Sequence, residues 1–243
     1  MTRRNQLLRV AKTLGLSLLP ILLVCAVRTS AQDKPTVPQR GAVIDSARRT
    51  TETYSEILAK RRLTQKDGDM QEAFPRTPMG TALARIATLY PYGVRQDNVP
   101  EARLMSQDLA VLHTAPVQAL ADLRIGFRTL LEKYWAERQF LIQIAGRLAV
   151  PRETIVDFLT AEMSRPVKVS AGDAADLAYL SPAAAADVLM AVVPEPDQRD
   201  AAFRRALKAQ PDGDVGRLVL SRYEAVDALH ARSLAAQLDL LQR

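Results

Sequence analysis

Two histidines, a handful of spaced carboxylates and one cysteine are the side chains in this sequence whose types could do chemistry. His113 and His230 stand far apart along the chain, and each is a candidate general base or metal ligand only if the fold brings a partner to it. His113 lies near a predicted helix end. His230 lies on the spaced apolar row Val219, Tyr223, Val226, His230, Leu234, Leu238, Leu241, a position that suits a satisfied core or interface histidine better than a catalytic one. The paired carboxylates Asp173/Asp176 and Asp197/Asp200 have acid–base spacing, but each pair falls at a predicted helix amino terminus, where the helix dipole favours negative charge. Asp67-Gly68-Asp69 begins like a calcium loop, yet the remaining ligands of that twelve-residue pattern are missing. The sequence has no His-Glu-x-x-His, Gly-x-Ser-x-Gly, Ser-x-x-Lys, phosphate loop or Gly-x-Gly-x-x-Gly. No catalytic residue, no metal ligand and no cofactor is expected, and the chain reads as a non-enzyme.

One further stretch carries chemistry of another kind. Gln143 to Leu159, QIAGRLAVPRETIVDFL, partly fits a helix-turn-helix, with Ile144, Ala145, Leu148 and Val150 in the first helix and turn and Ile155 and Leu159 in the second. A recognition helix must face phosphate, and the outer face here sets Arg152 against Glu153, Asp157 and Glu162. The same residues are explained by two helices meeting at a proline-started corner. Nucleic acid is therefore not the expected partner, and a membrane-tethered helix-turn-helix DNA-binding protein is kept as the alternative.

The cysteine leads to the chain's address. Arg3, Arg4, Arg9 and Lys12 precede an almost wholly apolar run, Leu14 to Val27, and Thr29-Ser30-Ala31 follow with small residues. This is the pattern of a signal peptide over residues 1–31, cleaved near Ala31/Gln32, with a periplasmic or secreted destination. The apolar run is shorter than the roughly 20 residues that span a bilayer core, and Pro20 interrupts it; an inner-membrane anchor at residues 14–27 is the alternative. Cys25, the only cysteine, sits in a partial lipoprotein box, so peripheral membrane association follows if it is lipidated or the signal is retained. The chain is +6 with pI near 9.7. Residues 1–31 hold five basic residues and no acidic one, so subtracting those five leaves +1 for the remainder. The basic character belongs to the leader and does not point to an anionic macromolecule. Without cysteine, the mature chain has no disulfides and must be stable by packing.

The elements that would position these groups are helical throughout. Residues 32–41, QDKPTVPQRG, read as a flexible tether containing two prolines. Residues 42–165 read as a helical domain: a helix from Ala42 to about Gln65, a loop from Lys66 to Gly80, a short helix over Met79–Leu89 stopped by Tyr90-Pro91-Tyr92-Gly93, another from Asn98 or Val99, and a long central helix over 117–149. Gly126 interrupts that helix weakly at most. Lys60-Arg61-Arg62 suits a solvated helix end. Pro151 opens the next helix. Residues 166–243 read as an alanine-rich helical region with helices over 171–180, 183–193 and 197–209 and a long final helix over 215–241. No stretch alternates with period two for long enough to be a strand. The expectation is an all-α, exported multi-helix domain of about seven or eight helices, two of them long.

LAYLSPAAAADVLMAVVPEPDQRDAAFRRAL, residues 177–207, resembles the short paired helices of the magnesium-transporter amino-terminal domain and the flagellar-switch middle domain. The match covers about thirty residues of proline-started, alanine-rich helix, and it implies a helical hairpin and no function. The expected role is a non-enzymatic helical interaction or accessory protein of the bacterial cell envelope, binding another envelope protein. An exported enzyme without a recognisable motif is the remaining alternative. Trp135, Tyr223, His230, Leu234 and Leu238 are the candidate contact residues, because large aromatics and apolar stripes on long helices anchor partners when the body of the protein does not bury them.

Overall fold

A computed structural model describes residues 52–89, 99–167 and 180–238. The signal peptide, the tether, the helix read over 171–180, the Asp173/Asp176 pair and the turn at 90–93 lie outside the described residues. Among the described residues the fold is all-α, with eleven α-helices and no strand. None of these helices is long and apolar enough to cross a membrane.

The helices are α1 (Tyr54–Arg61), α2 (Thr64–Ala73), α3 (Pro78–Leu89), α4 (Val99–Thr114), α5 (Pro116–Thr129), α6 (Trp135–Ala145), α7 (Arg152–Met163), α8 (Leu180–Val192), α9 (Pro196–Ala209), α10 (Gly213–Val226) and α11 (Ala228–Gln237). A 3-10 turn, Glu132–Tyr134, precedes α6. Prolines stand at the first position of α3, α5 and α9, where the missing N–H is one the helix would not use. Thr53 opens α1 with a capping box: its hydroxyl accepts from the Glu56 N–H while the Glu56 carboxylate accepts from the Thr53 N–H at 2.7 Å. Arg62 closes α1 in the left-handed region, φ 55°, which lets the Leu63 N–H reach the Leu58 carbonyl at 2.9 Å.

Four expected boundaries need correction. The helix read up to Gln65 ends at Arg61, and α2 starts at Thr64 and runs through the first half of what read as the 66–80 loop. Asp67-Gly68-Asp69 is thus helical, and its carboxylates are engaged: Asp67 accepts from the Tyr54 hydroxyl at 2.6 Å and Asp69 from Tyr134 at 2.5 Å and Lys133 at 3.1 Å. The Tyr54 and Tyr134 hydroxyls are both held protonated, by burial first and then by those carboxylates, with Tyr134 pushed up to about 12. The third correction is the long central helix. It breaks at Leu130 and Leu131, which are extended (ψ 122° and 148°), so α5 and α6 are separate helices. The break frees the carbonyls of Phe127 and Leu130, and the Arg138 guanidinium from α6 satisfies both, Nη2 donating at 2.8 and 2.5 Å. The fourth is the final helix, which divides at Asp227 into α10 and α11. The Asp227 carboxylate caps α11 by accepting from the His230 N–H at 3.3 Å.

The main apolar core runs through the described residues on both sides of residue 165, with a small second cluster of Ile57, Leu63 and Leu89 beside α1. Its centre is α8, whose Ala183, Ala185 and Ala186 are buried and allow close approach; α6, α7 and α10 all pack on it. The α3 helix forms a second hub, packed against α2, α4, α5 and α6, with Ala82, Leu83, Ala84 and Ile86 inaccessible to solvent. The Phe127 and Phe158 rings meet at 5.7 Å between α5 and α7, and Phe203 stacks on Tyr223 at 4.3 Å between α9 and α10.

Candidate partner-binding groove

The corner at Leu130–Leu131 is a built feature. Helix α5 brings Arg124 and Arg128 to its end; the 3-10 turn brings Glu132 and Lys133; α6 contributes Arg138, and α7 contributes Asp157, Phe158 and Glu162, with Arg165 just past its end. Together they line an open groove of about 1120 Å³. Five cationic side chains stand against three carboxylates on its wall and floor, so the groove carries an excess of positive charge. Leu131, carried on the extended corner, lines it and is 53% exposed. Ile125, beside Arg128 by helical spacing, is 47% exposed, and Val117 on the same helix is 60% exposed.

Arg138 forms the floor. Only 1% of it is exposed, and its guanidinium carbon lies 4.9 Å from the centre of the Phe127 ring. Its Nη2 donors are spent on the two freed carbonyls, whereas Nε and Nη1 are buried with no hydrogen-bond acceptor. Glu162 approaches Nη1 at 3.7 Å, an ionic contact that is too long for a hydrogen bond. Burial lowers the Arg138 pKa to about 10, helped by the neighbouring Arg165, and it stays cationic at neutral pH. Burial also raises the pKa of Glu162, against the pull of Arg138 and Arg165. Arg165 bridges the site, its Nε donating to Glu162 at 3.3 Å and its terminal nitrogens to Glu132. Lys133 pairs with Asp69 and Arg124 donates to the Thr154 carbonyl at 2.8 Å. Arg128 is exposed and makes no ion pair among the described residues.

None of these groove residues was singled out by the sequence reading as a contact residue. Arg138 left a signal all the same: it falls four residues after Tyr134 and three before Leu141, a cation on the inward row of the helix.

The predicted contact residues are dispersed. Tyr223 and Leu234 are buried by the chain itself, so they are core residues and offer no surface to a partner. The cause is the break at Asp227, which lets α10 and α11 fold onto α9 and turn both residues inward. Trp135 opens α6 half-buried, its carbonyl 3.5 Å from the Ser181 hydroxyl. Leu238 packs half-buried on the core. His230 is part-exposed, with Nδ1 2.9 Å from the Asp227 carboxylate. The structure brings Tyr223 and His230 into one neighbourhood: Asp200 accepts from the Tyr223 hydroxyl, and Arg199 lies 3.6 Å from Asp227. His113 is at the carboxyl end of α4, where the dipole suits a cation. Among the described residues no cluster of three histidine, cysteine or carboxylate side chains could hold a metal ion.

No family model, no curated protein and no solved structure matches the chain. The groove must therefore be read on its own chemistry. A cationic wall, an exposed leucine and an arginine with idle donors suit a ligand that is part apolar and part anionic.

The helices of the partial helix-turn-helix are α6 and α7. Both pack chiefly on α8, and Ile144, Ala145, Leu148, Ile155 and Leu159 are all core. Arg152, the cation on the candidate reading face, is held by Glu195 at 2.9 and 3.0 Å, and Asp157 by Arg205 at 2.8 Å.

Proposed function

We propose that this protein is an exported, non-enzymatic helical accessory or scaffold subunit of the bacterial cell envelope, and that it binds another envelope protein through the groove at the α5–α6 corner. The observation that carries this reading is the corner itself: an exposed leucine set in a cationic frame and held in place by a buried arginine. A binding surface needs an apolar anchor with a polar rim on a rigid support, and the corner has all three. The export half of the reading rests on the basic leader, the apolar run at 14–27 and the small residues before Gln32.

Two measurements test it. Alkaline phosphatase fused after Arg243 is expected to be active, because the enzyme folds only outside the cytoplasm; activity confined to a cytoplasmic reporter revives the DNA-binding alternative. Purified protein drawn through an envelope lysate is expected to retain a defined protein, and Leu131→Asp is expected to abolish that retention while leaving the melting temperature unchanged. Equal retention by the variant removes the groove from the reading. Steady turnover of a small molecule by the purified protein would favour the enzyme alternative, for which His230 beside Asp227 is the nearest acid–base pair.

A further inference from the structure

The groove's chemistry specifies its occupant more closely than "a protein", and this inference rests on the reading just given. We propose that the groove takes an extended acidic segment of the partner, with an apolar side chain against Leu131 and a carboxylate that replaces Glu162 on the Arg138 guanidinium.

Arg138 is buried with two of its three nitrogens lacking an acceptor, an arrangement that ordinarily destabilises a fold. A guanidinium needed only to close the two carbonyls at the corner would use Nη2 alone, as it does here. The remaining donors match an anionic oxygen. Glu162 does not meet that need: at 3.7 Å it neutralises charge without making the bond, and its other tie is to Arg165 at 3.3 Å. Both Glu162 contacts are long, and the exchange turns this buried carboxylate aside from Arg138 as the incoming one takes its place. Arg128, exposed and without an ion pair among the described residues, supplies attraction on the outer wall, and Arg124 stands one helical turn before it. The groove volume of about 1120 Å³ exceeds the range of about 300–1,000 Å³ usual for small-ligand clefts, which favours a chain segment over a free small anion. The excess of cations, five against three carboxylates, disfavours a basic segment.

The test uses the protein as the cell leaves it after expression of the full chain, and a fluorescent six-residue peptide of alternating leucine and glutamate. Its lysine counterpart, glutarate and inorganic phosphate are the comparison probes. Anisotropy is expected to show saturable binding of the glutamate peptide alone, weakening as salt is raised. Arg128→Glu should weaken it about tenfold, as expected for charge reversal facing an acidic ligand. Glu162→Gln should strengthen it several-fold, roughly 3- to 10-fold, because the competing carboxylate is gone; a merely structural role for this cluster gives no such gain. Arg138→Met should abolish binding, and a circular-dichroism melt of that variant tells loss of ligand from loss of fold. Binding that is unchanged in both Arg128→Glu and Glu162→Gln overturns the proposal, as does equal binding of the lysine peptide. If glutarate or phosphate binds as tightly as the peptide, the site is a small-anion site and the acidic segment is wrong. If the peptide fails to bind while Leu131→Asp still abolishes capture of the envelope partner, this inference falls and the wider reading stands; if both fail, the groove is not a binding site.

Discussion

At the scale of single residues, two positions carry meanings that composition alone conceals. Gly126 looks like a mild defect in a helix, and replacing such a glycine with alanine usually stabilises. Here an added Cβ would lie 2.2 and 2.4 Å from ring carbons of Phe74, which packs directly on the glycine. Gly126→Ala is therefore expected to destabilise by about 1–3 kcal/mol, as overpacking does; urea unfolding measures it, and an increase in stability would show that Phe74 can move aside. His230 offers a pH-dependent signature. The Asp227 carboxylate, hydrogen-bonded to its ring, raises its pKa, with Asp200 and Asp197 adding to the effect. A histidine whose folded pKa exceeds its unfolded value of about 6.5 adds stability that is complete below that value and is lost as pH rises through the folded one. The melting temperature of the wild-type protein should thus fall more than that of His230→Gln between about pH 6 and pH 9. Parallel profiles would mean that the ring and the carboxylate are not coupled in solution.

At the scale of elements, the informative feature is where helices stop. Leu234 illustrates it. Its row of apolar residues had to be covered either by the protein or by a partner, and α11 turns it into the core, 1% exposed. Leu234→Ala is expected to cost about 2–5 kcal/mol, and Leu234→Asp more, with the loss visible as a lower melting temperature in dilute protein. An unchanged melt with a smaller assembled size would instead make the row an interface. The all-helical class, the proline-started helices and most inward rows were legible, because 3.6-residue periodicity and proline placement are local signals. The breaks were not. Leu130-Leu131 has no proline or glycine, and what ends α5 there is an arginine seven residues further on that closes its carbonyls. In the sequence nothing sets Asp227 apart from the other charges between residues 215 and 241, although aspartate is a strong helix cap, and its neighbours Val226 and Leu229 remain exposed at the knuckle. Asp67-Gly68-Asp69 had the composition of a loop and became helix because Tyr54, Lys133 and Tyr134 hold its carboxylates. The groove was missed for the same reason: its parts come from α5, α6 and α7, and only tertiary packing assembles them.

At the scale of the whole molecule, α8 is the helix on which α6, α7 and α10 all depend. A chain ending at Val167 keeps α1 to α7 and loses α8 and everything after it. That fragment should bind the dye ANS and aggregate, because Leu141, Ile142, Ile144 and Leu159 sit in helices that pack on α8. A cooperative monomeric melt from the fragment would place the core elsewhere.

Position along the chain also sets a clock. Ribosomes and export channels both deliver the amino terminus first, so α6 and α7 emerge before the helix that joins them. Until residues 180–192 arrive, α3 can gather α2, α4 and α5, but α6 and α7 lack the helix against which they chiefly pack. For a chain that crosses a membrane as proposed, that delay leaves α6 and α7 unsettled while most of its length is in transit, and the last part of the core closes only when one short run of alanines arrives.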